Sequence, residues 1–439
     1  MLLGVIFVGV ALVVILITWL RMPAFIALVV GSVCVGLAAR MPLPDISRAF
    51  QQGVGDTLGF TAIVIGLGTV IGKLLAESGG AVVVARALVD SLGERRLDWA
   101  VMLAAFIIGL PVFFQVGLVL LAPVLFTLTR QARAPLLLLG IPVLAGLSVA
   151  HGLVPPHPGP LAAIERLGAD PGRTLFYALI VGLPVAIVSG PVFGRFISRR
   201  VHVDAGAVAS QFTAPSTAKR PPSLAITLIT ILLPVVLMLL AALAQATMAD
   251  GVPRRWIGFA GSPLVAMLLA TLLSMYTFGR ACGFDRARLL TFAEESLPPV
   301  AGVLLVVGSG GGFGRVLVAA GADTAITHVI GGLQLSPLVL GWLIAALLRL
   351  SVGSATVSVI TAASVMAPMT AGYPNKDLLV VAIGAGSVIA SHVNDGGFWL
   401  VKEYFNMSVP QTVSTWTIME TIVSIAALGG VLLLSLLVG

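Results

Sequence analysis

The sequence has 439 residues, of which 58% are apolar and 10% are charged, with a formal net charge of +7 and a mean hydropathy of +1.09. Soluble proteins average roughly 45–50% apolar and 25% charged residues, so this composition excludes a soluble globular protein and predicts a polytopic membrane protein. The positive charge comes from arginines in short loops, which is typical of cytoplasmic anchoring rather than nucleic-acid binding. Cys34 and Cys282 support neither a disulfide framework nor a cysteine metal site.

The N-terminal residues predict two membrane spans followed by a surface helix. Met1 to Leu20 has no basic start and is apolar over about the twenty residues that a spanning helix needs, so we expect a retained helix. Pro23 to Ala39 follows as a second span. Leu43 to Leu58 is mixed polar at helical spacing, which favours an interfacial helix.

A glycine-rich segment at about residues 60–80 favours a re-entrant hairpin. It includes Gly66, Gly68 and Lys73, which is unusual for a helix that faces lipid. The alternative is a continuous helix whose glycines allow close packing against neighbours. A phosphate-binding loop is excluded, because Leu74 follows Lys73 where that motif needs Ser or Thr.

The segment 151–160, H-G-L-V-P-P-H-P-G-P, interrupts a long apolar stretch. Proline lacks a backbone N–H and fixes φ, so these residues predict a broken helix with irregular backbone. His151 and His157 stand in this break. No H-E-x-x-H pattern accompanies them, so we predict no metal site.

The chain divides into two similar halves joined by a polar linker. We expect a first half at 1–198, a linker at 199–222, connecting or scaffold helices at 223–278 and a second half at 279–439. The linker carries the larger basic cluster, so it is expected to be cytoplasmic and residues 248–256 external.

An internal repeat relates the two halves. At an offset of 242, four residues of the first glycine segment match four of a second at about 297–321: Gly66, Gly68, Gly72 and Lys73 match Gly308, Gly310, Gly314 and Arg315. His392 lies 241 positions after His151, so the loops 151–160 and 391–397 are also equivalent. Paired hairpins and paired broken helices predict an all-α transporter of two inverted repeats, with about 10–12 spanning helices and its site at the repeat interface.

The most polar intramembrane stretch is at 389–405, I-A-S-H-V-N-D-G-G-F-W-L-V-K-E-Y-F. A carboxylate such as Asp395 is costly at membrane depth unless it faces water, a partner or a ligand, so it indicates a functional site. Irregular backbone at that depth is tolerated only where it is buried in protein or lines a cavity. The alternative for Asp395 is a structural ion pair with Arg349 or Lys402.

Three separated motifs resemble the gluconate permease family of proton symporters. They are H-G-x-x-P-P-H-P-G-P, L-R-x-x-x-G-S-A-T-V and S-H-V-N-D-G-G-F-W-x-V-K-E-Y-F with T-W-T-x-x-E-T after it, and the likeness spans essentially the whole chain. The resemblance implies uptake of gluconate or a related sugar acid, an inner-membrane location and no enzymatic activity. At Gln115 the family commonly has an acidic residue, so no proton role is carried over to that position.

An anionic substrate also suits the predicted half-helices, whose N-termini present unpaired N–H groups. The candidate substrate-binding residues are His151, His157, Gly68, Gly310, Ser354, Thr356, Ser391, Asn394, Asp395 and Gly396. For the Ser and Thr residues, including Ser358, the alternative is a hydrogen bond back to the preceding helical turn.

The coupling ion is expected to be a proton, with no other cofactor. Asp395 is the leading carrier, and His151 and Glu420 are the alternatives. For Glu420 there is a structural alternative, since T-I-M-E at 417–420 fits a capping box that opens the final helix.

Other classes and substrates remain open at this stage. A channel is disfavoured by the duplicated segments, and an intramembrane enzyme by histidines that lack catalytic partners. A cation exchanger could also use Asp395. Idonate, 2-keto-3-deoxygluconate, glycerate and D-serine all suit a carboxylate pole with hydroxyl-binding neighbours. The expected partners are an anionic small molecule and the lipid bilayer, not nucleic acid, and a homodimer could form through the helices at 223–278.

Overall fold

The computed structural model describes residues 8–9, 11–13, 15–17, 19–93, 96–203, 218, 220–321, 336–370, 372–392 and 395–438, and every regular element among them is helical. The helices of the first half are α1 (Ala24–Ala38), α2 (Leu43–Glu77), α3 (Gly80–Leu92), α4 (Leu97–Gly109), α5 (Phe114–Gln131), α6 (Leu136–Leu153), α7 (Pro158–Leu167) and α8 (Pro171–Ile197). Residues 8–9, 11–13 and 15–17 are also helical, within the segment expected to form the first span.

The remaining helices are α9 (Leu224–Thr247), α10 (Val252–Ala260), α11 (Pro263–Cys282), α12 (Arg286–Ser296), α13 (Pro298–Ala319), α14 (Pro337–Val352), α15 (Ala355–Met366), α16 (Lys376–Ser387), α17 (Gly396–Tyr404) and α18 (Val409–Val438). In the described part of the chain, eight helical stretches are long and apolar enough to cross a membrane, and four shorter apolar helices accompany them. The predicted all-α polytopic class is therefore confirmed. Most of the linker, at 204–217 and 219, lies outside the described residues.

Proline and polar caps explain where many of these helices begin. Proline suits the first helical turn, because its missing N–H would have no partner there and its φ is already helical. Helices α7, α8, α11, α13 and α14 have proline in this turn. Side chains cap α8, α9, α15 and α17 through Asp170, Ser223, Ser354 and Asp395.

The expected hairpins at 60–80 and 297–321 are wrong in position, because residues 60–77 and 298–319 are each continuous helix. The first belongs to α2, which also contains the segment 43–58 that was expected to be interfacial. The second is α13. The glycines of the second segment allow close helix packing: an added Cβ at Gly311 would lie 2.5 Å from Gly53 O, and one at Gly310 would lie 2.3 Å from Ile360 Cγ2. In the first segment, an added Cβ at Gly66 would meet nothing within 4 Å. The alternative that glycines serve packing therefore holds for the second segment.

The helices are instead interrupted at four other places, two in each half. In the first half α4 gives way to α5 at 110–113, and α6 to α7 at 154–157. In the second half α14 gives way to α15 at Gly353, which has φ 76°, and Ser354, and α16 to α17 at 388–395. The breaks at 154–157 and 388–395 fall within or beside the predicted loops at 151–160 and 391–397.

Contacts at the helix termini define two ends of the bundle. At the first end Arg195 Nε lies 2.6 Å from Asp98 Oδ2, so α4 begins there, where α8 finishes. At the second end Asp170 N donates to Asp377 Oδ1 at 2.7 Å, so α8 and α16 both begin there. The end of α14 contacts the segment that follows α16, through an ion pair of Arg349 with Asp395, so α14 runs in the same direction as α16.

Candidate functional site

A cavity of about 260 Å³ lies where the breaks of the two halves meet. Phe114 and Gln115 contribute from the start of α5, and Gly353, Ser354, Ala355 and Thr356 from the break before α15 and that helix's first turn. The other lining residues are Ser148, His151, Arg349, Val388, Asp395, Gly396, Gly397, Trp416 and Glu420. The cavity therefore joins residues that are far apart in the sequence but close to equivalent helix breaks.

Arg349 is buried beside this cavity with a relative exposure of 4%. Its Nη1 donates to Gly353 O at 2.6 Å, and its Nη2 donates to Asp395 Oδ2. Its Nε has no hydrogen-bond partner among the described residues. Since a buried guanidinium N–H without a partner is costly, this atom is a ready donor for an anionic ligand.

Asp395 caps the N-terminus of α17, and its carboxylate accepts hydrogen bonds from several donors. Gly397 N donates to Oδ1 at 2.8 Å, and Ser391 Oγ donates to Oδ2. Ser391 in turn accepts a hydrogen bond from Trp416 Nε1 at 2.8 Å. The structural ion pair with Arg349 is thus present, whereas Lys402 pairs with Glu403 instead.

Glu420 lies within α18 and not at its start, so the expected capping box at 417–420 is wrong. The box forms earlier, between Ser408 and Gln411, because α18 continues through a π-helical turn at Val413–Thr417. Glu420 is 1% exposed, and Ser148 is hydrogen bonded to its carboxyl group. Its Oε1 has no partner within the described part of the chain.

The two histidines of the first half occupy different positions. The ring centroids of His151 and His157 are 5.1 Å apart. His157 is buried behind the cavity, and its Nε2 donates to Gly109 O at 2.6 Å, since a carbonyl can only accept. His151 lines the cavity, and its Nδ1 has no partner among the described residues.

Buried polar atoms without a hydrogen-bond partner therefore concentrate among the residues that line the cavity. Six buried side-chain nitrogen or oxygen atoms lack a partner among the described residues, and three of them belong to cavity-lining residues: His151 Nδ1, Arg349 Nε and Glu420 Oε1. Buried polar atoms in folded proteins are nearly always satisfied, so three such atoms at one cavity indicate a polar ligand. The first-turn N–H groups of α15 add donors, because they have no partner within the helix.

The structure brings some predicted site residues together and separates others. His151, Ser354, Thr356, Asp395, Gly396 and Glu420 line the cavity. His157 and Ser391 lie behind it as supports, and Ser358 donates back to Ser354 O at 2.7 Å, as its structural alternative predicts. Asn394 lies outside the described residues.

Neither glycine of the expected hairpin sites lines the central cavity. Gly310 packs on Ile360 within the helix bundle. Gly68 lies in a neighbouring cavity of about 490 Å³ that also contains Lys73 and Glu295. Gln115 lines both cavities and so stands between them.

Sequence reasoning missed Arg349 and Ser148 as cavity residues. A buried arginine within an apolar helix is itself a signal, since such residues almost always face the bundle interior. Ser148 had no comparable signal. In the described part of the chain, no group of three His, Cys, Asp or Glu side chains is placed to hold a metal ion.

The helical fold, with eight candidate membrane spans in its described part, defines a multi-pass membrane protein. By fold the chain is similar to the crystal structure of the YdaH transporter of Alcanivorax borkumensis, with a TM-score of 0.64 at 19% identity over 90% of this chain and 88% of that one. The sequence model of the GntP family permeases matches residues 1–437. The chain belongs to the GntP permease family.

Two relatives show how close this membership is. The chain is 48% identical to a gluconate permease of Pseudomonas aeruginosa over 427 residues, which are 96% of this chain and 95% of the relative. It is 40% identical to the high-affinity gluconate transporter of Escherichia coli over 435 residues, which are 98% of each chain. The family expected from the three motifs is confirmed.

Proposed function

We propose that this chain is a secondary active transporter that imports gluconate or a related sugar acid together with protons across the inner membrane. The observation that carries the proposal is that three residues lining one cavity have buried atoms without a partner among the described residues: His151 Nδ1, Arg349 Nε and Glu420 Oε1. The names of the two gluconate-transporting relatives support the substrate class.

In the proposed binding mode the substrate carboxylate contacts Arg349 Nε and the N–H groups of Ala355 and Thr356. A guanidinium and a helix N-terminus both favour a carboxylate. The hydroxyl groups of the sugar acid would exchange hydrogen bonds with Gln115 and His151. Phe114 and Trp416, whose ring centroids are 5.3 Å apart, would cover the carbon chain.

We further propose that the two halves are inverted repeats that give alternating access to this site. Support comes from the directions of the broken helices: α4 begins at the end marked by Asp98, and α14 runs parallel to α16, which begins at the end marked by Asp377. A site at the meeting point of two oppositely directed helix breaks suits a transporter.

The proposal is tested by uptake of radiolabelled gluconate into proteoliposomes with an imposed pH gradient. We expect saturable accumulation that collapses when a protonophore removes the gradient. Competition by idonate, 2-keto-3-deoxygluconate, glycerate and D-serine ranks the substrates. Gluconate entry that does not saturate would indicate a channel and contradict the proposal.

A second candidate is a symporter for another small hydroxy-carboxylate. Family members named for L-idonate and for D-serine support this alternative. This alternative would be established if another hydroxy-carboxylate inhibited uptake of radiolabelled gluconate at a much lower concentration than unlabelled gluconate does.

The proposed orientation places residue 202 in the cytoplasm and residue 251 outside, following the positive-inside rule. In intact cells, a membrane-impermeant thiol reagent should label Gly251→Cys and spare His202→Cys. The reverse labelling pattern would invert the proposed topology.

A further inference from the structure

We infer that Glu420 is the group that binds the coupled proton, and that Asp395 is a positioning residue that stays charged and holds Arg349 toward the substrate. This inference rests on the proposed function and assigns distinct tasks to the two carboxyl groups of the central cavity. It reverses the expectation from the sequence, in which Asp395 was the leading proton carrier.

The surroundings of Asp395 leave no place for a proton. Its Oδ2 accepts from Arg349 Nη2 and from Ser391 Oγ, and its Oδ1 accepts from Gly397 N. The hydroxyl hydrogen of Ser391 points to Asp395, because Ser391 Oγ already accepts from Trp416 Nε1. A protonated Asp395 would turn its own O–H toward other donors, and an ionised carboxylate is the form that only accepts.

Asp395 also fixes the direction of Arg349. The ion pair with Asp395 and the bond from Nη1 to Gly353 O hold both terminal nitrogens of the guanidinium. Nε then remains without a partner among the described residues, and each terminal nitrogen keeps one further N–H for a ligand. Asp395 thus acts on the substrate through Arg349.

Glu420 has the opposite environment. Among the described residues its carboxyl group is hydrogen bonded only to Ser148, and Oε1 has no partner. An ionised carboxylate that is 1% exposed with one oxygen unsatisfied is costly, and taking up a proton removes the charge. Proton binding here needs no rearrangement of an ion pair.

Charge explains how this proton would couple to the substrate. The pair of Arg349 and Asp395 is neutral overall, so an ionised Glu420 gives the cavity a negative charge that repels an anion. Protonation of Glu420 removes that repulsion, so proton and substrate each favour the binding of the other, as thermodynamic linkage requires. The proton adds to a carboxylate oxygen on the loading side and leaves it on the release side, and no bond to the substrate forms.

Few other charged groups face Glu420. Arg349 and Asp395 lie across the cavity, and His151 lies on α6, three residues after Ser148. A positive charge on His151 would lie beside Arg349, and like charges disfavour one another. Helices α8 and α16 also pack on α18, and their titratable residues lie toward the helix termini. In α8, Arg173 pairs with Asp377 and is hydrogen bonded to Tyr177, and Arg195 pairs with Asp98. In α16, Lys376 is the first residue of the helix.

The test compares accumulation with exchange in proteoliposomes, using radiolabelled gluconate. Glu420→Gln mimics the protonated carboxyl group permanently, so its accumulation ratio under a pH gradient should fall to about 1. Its remaining exchange of gluconate between equal pools should be measurable and should no longer depend on pH. Asp395→Asn should lower exchange at least about 100-fold, because it breaks a buried ion pair, and its residual exchange should keep the wild-type pH profile.

Controls separate failure of the assignment from failure of the transport proposal. Wild-type protein that does not transport gluconate at all would overturn the proposed function. Gradient-driven accumulation by Glu420→Gln would overturn the assignment alone, as would pH-independent exchange by Asp395→Asn. Glu420→Asp keeps a titratable group and should accumulate gluconate with a shifted pH midpoint. If Glu420→Gln does not insert into the membrane, an unshifted midpoint in Glu420→Asp overturns the assignment.

Discussion

The loop between α6 and α7 and the loop between α16 and α17 both follow helices that reach the central cavity, but the two loops carry different chemistry. The first loop, at 154–157, contains no Asp, Glu, Lys or Arg, and its His157 donates a hydrogen bond to a backbone carbonyl of α4. The second contains Asp395, which pairs with Arg349. Similar positions beside the cavity therefore do not imply similar roles: residues before 199 contribute neutral hydrogen-bonding groups, and residues after 278 contribute the charged side chains that line it.

The largest loss of gluconate uptake is expected when the cation of the second half, Arg349, is removed. Arg349→Gln should reduce gluconate uptake at low substrate by at least about 100-fold, because it removes the partner of the substrate carboxylate and leaves the partly buried Asp395 without its ion pair. Arg349→Lys keeps the charge but loses the planar guanidinium, so its gluconate uptake should fall between that of the wild type and that of Arg349→Gln.

The matched variant in the first half is Gln115→Ala, which should change uptake by less than about tenfold, since one neutral hydrogen bond contributes about 1 kcal/mol. Initial rates over a range of gluconate concentrations measure both effects. If Gln115→Ala were as damaging as Arg349→Gln, the charges of the second half would not be the main determinants of binding.

Equivalent glycines in the two halves should also differ. A Cβ at Gly310 would lie 2.3 Å from Ile360 Cγ2, whereas one at Gly68 would lie 3.3 Å from the flexible end of Met267. Gly310→Ala should therefore destabilise the protein by about 1–3 kcal/mol through overpacking, and Gly68→Ala by much less. Thermal unfolding in detergent compares them, and equal melting temperatures for the two variants would contradict the packing role of Gly310.

The break between α14 and α15 depends on a left-handed backbone conformation. Gly353 has φ 76°, and its carbonyl oxygen accepts from Arg349 Nη1. Gly353→Ala should cost about 1–2 kcal/mol and raise the KM for gluconate, because strain there shifts the acceptor of Arg349. Gly258→Ala, in α10 where an added Cβ meets nothing within 4 Å, is the control that should behave as wild type.

The smallest effect is expected at His151, whose ring lines the cavity from the first half. His151→Gln should weaken gluconate binding by about 1 kcal/mol, the value of a single hydrogen bond, while the pH dependence of uptake is retained. Uptake measured across a range of pH values at several gluconate concentrations tests both parts. A loss of pH dependence in His151→Gln would transfer the proton from Glu420 to this histidine.

These contrasts also show which features a single sequence can predict. Composition and span length define the membrane class, because the bilayer imposes a strong physical constraint on both. The breaks at 154–157 and 388–395 are predictable from Pro155, Pro156 and Gly396, whose backbone preferences are local. The glycine segments are ambiguous, since the same glycines allow either a turn or close packing, and only the partner helix decides.

Within the site, the sequence identifies polar residues but not their partners. Asp395 and Glu420 are both prominent as intramembrane acids. Their distinction depends on Arg349 and Ser148, which reach them from helices distant in the sequence. Tertiary contacts of this kind leave no pattern in a single chain.

The most direct measurement of coupling counts protons taken up when gluconate binds to the purified protein in weakly buffered detergent solution. Near the pH at which uptake is half-maximal, a pH indicator should report net proton uptake by the wild-type protein on addition of gluconate and none by Glu420→Gln, while the latter still binds gluconate in a thermal-shift assay. Equal proton uptake by both proteins would contradict the account.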